Sequence, residues 1–267
     1  MSFVAADAAR ISYATAGSGP AVLLLHAGVT DKRSWDPLVE SLGGRYRTVA
    51  YDQRGYGETT YEPGPHSAVA DALAVLDAEG IDRALVIGAS NGGRRSIHLA
   101  LDHPERVRGL VLIGAGLRGG PDDDLDAFSE DVRALYAGYE AAEEAGDLDE
   151  LNRIEAHAWL DGWAALEGRV QGAARELFLD MNRIALSAED PGEDGTGAAW
   201  DRVGEIRVPT LVLIGELDVL VRPASEHLAA TIPGARFEEL AGTGHLPHLE
   251  GDPRTLEAIG AFVASLP

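Results

Sequence analysis

The chain has 267 residues, 45% of them hydrophobic, with 44 acidic against 22 basic side chains and a net charge of −22 at neutral pH. A length at the upper end of what one hydrophobic core supports predicts a single domain carrying a large insertion, and so negative a chain repels nucleic acid and anionic membrane surfaces. Cysteine is absent, which excludes a disulfide framework, a thiol nucleophile and a thiolate metal site; no stretch approaches the length of a membrane span and no basic start leads into an apolar run, so a cytoplasmic address is expected.

Short apolar runs alternate with helical patterns along the chain, the signature of an α/β protein with a mostly parallel, doubly wound sheet and helices on both faces. Strands are expected at residues 10–15, 22–26, 48–52, 84–88, 109–114, 210–215 and 236–240. Several are continuous Val, Leu and Ile, as befits strands buried on both faces. Helices are expected at 35–42, 67–79, 92–102, 224–231 and 253–265, and His103 before Pro104 closes the third of these.

Between the strands at 109–114 and 210–215 the strand signal disappears. Leu125, Phe128, Val132, Leu135, Tyr136 and Tyr139 recur at helical spacing, and Leu166, Val170, Leu177, Met181 and Ile184 do so later. Residues 117–205 are therefore expected to form a helical cap inserted into a core made of residues 1–116 and 206–267. Gly119-Gly120-Pro121 and the glycine-rich stretch 190–197 mark its edges and read as flexible joints. The insertion holds 7 arginines and 23 acidic groups, hence most of the net charge, read as solvated helix faces.

The strand at 84–88 runs into Gly88-Ala89-Ser90-Asn91-Gly92, a serine with glycine two residues away on each side, and a helical pattern follows. This is the pattern of a nucleophile elbow, in which a sharp strand-to-helix turn displays the serine and glycines clear the crowded backbone. The first turn of the helix offers free N–H groups and a positive dipole end where an oxyanion would develop. The bland reading is a tight βα turn with a solvent-facing serine.

A serine hydroxyl needs a general base, itself oriented by an acid, and in a doubly wound sheet such groups gather at the carboxyl ends of strands. The strand at 210–215 ends in Glu216-Leu217-Asp218, and that at 236–240 runs through Ala241-Gly242-Thr243-Gly244 into His245. Asp218 and His245 fit. Glu216, nearer the strand end, and His248, after Pro247, are the rivals. His66, His98, His103, His157 and His227 are scattered singly, which argues against a metal site.

The order Ser90, Asp218, His245, with Leu23-Leu24-Leu25-His26-Ala27-Gly28, Asp52-Gln53-Arg54-Gly55-Tyr56-Gly57, the elbow and Gly244-His245, resembles the α/β-hydrolase family over nearly the whole chain. The resemblance implies an oxyanion hole formed by the backbone N–H groups of Gly28 and Asn91, although Ala27 stands where the family pattern has glycine. It also implies hydrolysis of a carboxylic ester or lactone through an acyl-enzyme on Ser90, without a cofactor or metal. Serine rather than aspartate at position 90 argues against haloalkane dehalogenases and epoxide hydrolases, and Leu246 after the histidine against hydroxynitrile lyases. Carbon–carbon bond hydrolases acting on diketones share the same parts and stay open. So does a low-turnover ligand-binding receptor on the same scaffold.

The remaining polar motifs carry bland readings. His26 is expected to brace its loop, Asp52, Arg54 and Gly57 to stabilise a turn, and Arg94 and Arg95 to pair with acids, although one of them could reach a substrate carboxylate. Trp159 and Trp163 are candidates to line the substrate pocket, with ordinary core packing as the alternative. The acidic insertion suggests a small, neutral, largely apolar substrate, and the chain is expected to be a monomer or homodimer, with no nucleic acid or membrane as partner.

Overall fold

The computed structural model describes residues 1–121 and 124–266. Its sheet comprises β1 (Ser2–Ala6), β2 (Ala9–Ala16), β3 (Ala21–Leu25), β4 (Arg47–Tyr51), β5 (Thr60–Tyr61), β6 (Ala84–Ala89), β7 (Val107–Ile113), β8 (Thr210–Gly215) and β9 (Arg236–Leu240). The order is β1-β2-β4-β3-β6-β7-β8-β9, with β5 pairing β2. β1, β2 and β5 run antiparallel to their neighbours, and every pair from β4 to β9 is parallel.

All seven expected strands form, and two more join them. β1 folds onto β2 through a two-residue turn in which Asp7 has a positive φ of 46°; Asp7-Ala8 lacks the Asn-Gly signature that would have announced the hairpin. β5 is too short to leave a periodic trace.

Alternation along each central strand divides the core in two. Leu23, Leu25, Val86, Leu110, Leu112 and Val212 face a layer containing α2 (Ala68–Ala78), α3 (Asn91–Asp102) and α7 (Arg222–Thr231). Val22, Leu24, Leu85, Ile87, Val111, Ile113, Leu211 and Leu213 face α1 (Asp36–Leu42) and α8 (Pro253–Ser265). The helices begin where local chemistry tells them to: the side chains of Ser67 and Asp252 accept hydrogen bonds from the N–H groups of the first turns of α2 and α8.

Between β7 and β8 the described residues form helices without strands: α4 (Glu130–Ala145), α5 (Leu148–Glu155), a π-helical turn over Ala156–Gly162 and α6 (Ala173–Ser187). Val132, Phe128, Leu135 and Tyr136 pack into a small cluster around Ala158 and Trp163, and Phe178 and Met181 join the main core. Leu166 is 87% exposed and precedes α6, so its apparent helical spacing reflects no buried face; Leu125 and Ile184 are also exposed. The stretch 190–197 read as a flexible joint is instead tied down. Gly64, His66 and Ala68 donate backbone hydrogen bonds to Pro191, Glu193 and Asp194, and a Cβ on Gly192 would lie 2.7 Å from the Gly64 carbonyl.

Candidate active site

Ser90 sits between β6 and α3 at φ 51°, ψ −116°, a conformation that costs a non-glycine residue about 1–3 kcal/mol and persists only where its surroundings enforce it. The enforcement is close packing. A Cβ on Gly92 would lie 2.2 Å from the Leu25 carbonyl, and one on Gly88 2.3 Å from Ser96 Oγ. The Ser90 N–H donates to Ile113 at 2.9 Å, and its carbonyl accepts from Gly116 at 3.0 Å, so the elbow is sewn to the end of β7.

Gly114, between those two contacts, passes under the other predicted residues. At φ +49°, a Cβ there would lie 2.8 Å from His245 Nδ1 and 2.9 Å from Asp218 Oδ2. His245 Nδ1 and Asp218 Oδ2 are themselves 2.6 Å apart, in a pair 1% and 0% exposed. A buried carboxylate at that distance accepts the Nδ1 proton, which leaves Nε2 as the basic nitrogen. Among the described residues Nε2, which is buried, has no hydrogen-bond partner, the Ser90 hydroxyl included. The structure thus joins two of the three predicted residues by a hydrogen bond, and the backbone of the third is hydrogen-bonded on either side of Gly114, which packs against that pair.

The rivals are disposed of by their surroundings. Glu216 is exposed and accepts the Gly242 N–H at 2.7 Å. His248 is fully buried and stacked on Trp35 with ring centroids 4.2 Å apart, and burial, reinforced by His245 nearby, pushes its pKa down to about 3.

The Gly28 loop reaches the elbow: a Cβ on Gly28 would meet Asn91 Nδ2 and Tyr56 Oη, each at 3.4 Å. The residues expected to carry the two oxyanion donors are therefore neighbours. His26 braces this loop. The Gln53 N–H donates to its Nε2 at 3.0 Å, so the ring proton is on Nδ1, which donates to the Ala27 carbonyl at 2.8 Å. Burial lowers its pKa and keeps it neutral.

Asp52 accepts from Lys32 Nζ at 2.6 Å and from the N–H groups of Lys32 and Glu58, and Arg54 forks onto Asp71, so this motif is a braced turn. Gly57 is required there, since a Cβ would lie 2.3 Å from the Asp52 carboxylate. Arg94 and Arg95 do pair with an acid, the single Asp194. Trp159 lies against His245 with ring centroids 4.8 Å apart, so it walls the site. Trp163 is one layer further out, 3% exposed and edge-on to Trp159, and belongs to the packing between the helices.

Sequence reasoning missed Arg169. It donates to the Leu160 carbonyl at 2.9 Å, to Gly242 at 3.0 Å and to both oxygens of Glu250 at 2.7 and 2.8 Å, and Glu250 accepts the N–H of Gly244, next to His245, at 2.8 Å. Partners 81 residues apart leave no local signal.

Fold and geometry agree with the comparisons. The chain belongs to the family described as having the alpha/beta hydrolase fold, whose model matches residues 20–252, and it is a hydrolytic enzyme. It is 30% identical over 262 residues to a pimeloyl-[acyl-carrier protein] methyl ester esterase of Xanthomonas campestris pv. campestris, covering 94% of this chain and 98% of that one. It is 31% identical over 252 residues to a putative carbamate hydrolase RutD of Azorhizobium caulinodans, covering 89% and 88%. Among solved structures, Est816, described as an N-acyl homoserine lactone degrading enzyme, superposes with a TM-score of 0.78 at 25% identity over 98% of this chain and 100% of its own.

Proposed function

We propose that the protein cleaves a small carboxylic ester or lactone through an acyl-enzyme on Ser90. The observation that carries this reading is a strained serine tied by its backbone to the 113–116 segment under a buried His245–Asp218 pair, whose Nε2 has no partner among the described residues. His245 takes the Ser90 proton as the hydroxyl attacks the acyl carbon, returns it to the leaving alkoxide, and then activates water to release the acid; Asp218 fixes the tautomer throughout. The N–H groups of Gly28 and Asn91 stabilise the tetrahedral oxyanion, each worth about 3 kcal/mol in the transition state. Residues 117–205 act as the cap, with Trp159 closing the site above His245. The similar proteins named above are a methyl ester esterase, a putative carbamate hydrolase and a lactone-degrading enzyme, and each such reaction passes an acyl group to water.

Treatment with a fluorophosphonate followed by intact-mass analysis should add one adduct, lost in Ser90→Ala, and that variant should lose turnover on the order of a million-fold. A panel of p-nitrophenyl esters, lactones and vinylogous diketones separates acyl-oxygen from carbon–carbon cleavage. Undiminished ester hydrolysis by Ser90→Ala would refute the assignment.

A further inference from the structure

A cleft of about 810 Å³ opens beside Asn91, lined by Tyr56, by Arg54, Arg94, Arg95 and Arg118, and by the strap at 188–197. Arg54 is neutralised by its two 2.8 Å hydrogen bonds to Asp71. The other three guanidiniums converge on one turn. Arg94 Nη2 and Arg95 Nη2 reach the same oxygen, Asp194 Oδ2, at 3.0 and 2.9 Å, while Oδ1 is held by the N–H and hydroxyl of Thr196. Arg94 and Arg118 each donate to the Thr196 carbonyl at 3.2 Å.

Among the described residues no carboxylate pairs with Arg118, and Glu189, Asp190 and Glu193, which border the cleft, are exposed and form no ion pair with these arginines. Among the described residues one carboxylate therefore pairs with two buried guanidiniums and none pairs with the third, in a chain with twice as many acids as bases. Burial, then repulsion from Arg95 and Arg118 against the attraction of Asp194, brings Arg94 down to about 10. Concentrating like charge in a partly desolvated cleft is costly unless an anion completes it.

Building on the ester-hydrolase reading, we infer that this cleft is a carboxylate subsite, and that the substrate is an ester or lactone bearing a free carboxylate away from the bond that is cut. Arg118 holds that carboxylate, beside Arg94, whose Nε and Nη2 donate to Asn91 Oδ1 and fix that side chain at the cleft. Asn91 links the subsite to the reaction, because it lines the cleft and also lies against Gly28. This runs opposite to the neutral substrate suggested by the acidity of residues 117–205: four of those acids, Glu189, Asp190, Glu193 and Asp194, line the cleft too, but only Asp194 pairs with Arg94 and Arg95. Asp194 serves as the internal counter-anion.

Titration calorimetry on Ser90→Ala with succinate, glutarate and adipate, against their neutral diamides, reads the subsite without turnover. At least one dicarboxylate should bind more tightly than its diamide. Arg118→Gln should weaken it about 10-fold, the worth of one charge-assisted hydrogen bond, and Asp194→Asn should tighten it by removing the competing carboxylate. No dicarboxylate binding above its diamide, or affinity unmoved by Arg118→Gln, would overturn the inference. Kinetics separate this failure from failure of the hydrolase reading. Equal kcat/KM for p-nitrophenyl esters with and without a distal carboxylate, in an enzyme whose Ser90 is labelled, removes only the subsite. Dicarboxylate binding by a protein that hydrolyses nothing and takes no label removes only the hydrolase.

Discussion

His245 and His248 are three residues apart and share one loop, yet what touches each differs completely. Asp218 holds one, whose Nε2 has no partner among the described residues. Trp35 covers the other, and burial holds its pKa at about 3. The sign of the consequence follows from linkage. The unfolded chain binds this proton near pH 6.5, well before the folded chain does, so the contribution to stability is complete above about pH 6.5 and is lost as pH falls toward 3. At pH 5 the loss from this one group is about 2 kcal/mol. Denaturant melts should show His248→Phe keeping more of its neutral-pH stability at pH 5 than the parent protein does, with His26, also lowered by burial, accounting for part of what remains.

At the scale of elements, the helices over the sheet are coupled to the histidine loop by a side chain rather than by backbone continuity. The π-helical turn over Ala156–Gly162 widens the helix where Trp159 meets His245, and such turns recur at functional sites. Gly162 ends it at φ +109°, where a Cβ would lie 2.6 Å from Leu217 Cβ. Arg169 then fastens this turn to Gly242 and Glu250. Arg169→Ala strands the Glu250 carboxylate, whose side chain is 9% exposed, and should cost about 1–3 kcal/mol of stability. Because Glu250 also holds the Gly244 N–H, kcat should fall more than KM rises, a split that a purely structural loss would not produce. Arg169→Lys should recover little, since an ammonium cannot reproduce the fork of donors. Thermal melts and steady-state kinetics on the two variants check both statements.

Across the whole molecule the charge is lopsided, with most of the net −22 lying between β7 and β8. Self-repulsion of that kind destabilises the compact state and is screened by salt. Raising NaCl from about 10 mM, where the Debye length is roughly 30 Å, to about 500 mM should raise Tm by about 2–4 °C, equivalent to roughly 1 kcal/mol. A fall in Tm would mean that paired surface charges outweigh the repulsion.

The elbow, the seven central strands and the residues Asp218 and His245 were legible in the chain because each depends on nearest neighbours: apolar runs, glycine spacing and position just past a strand end. The same locality explains the omissions. β1 needed its partner β2 to become a strand, Leu166 kept a helical spacing that no packing used, and the glycine-rich stretch 190–197 was pinned by residues 64–68, which are more than a hundred positions away. Contacts between distant segments decided the tautomer of His26, the burial of His248, the sharing of Asp194 by two arginines and the clasp of Arg169 on Glu250. Sequence pattern records which face of an element is apolar; which polar groups meet across elements is set only when the chain closes and desolvation forces each buried charge to find its partner.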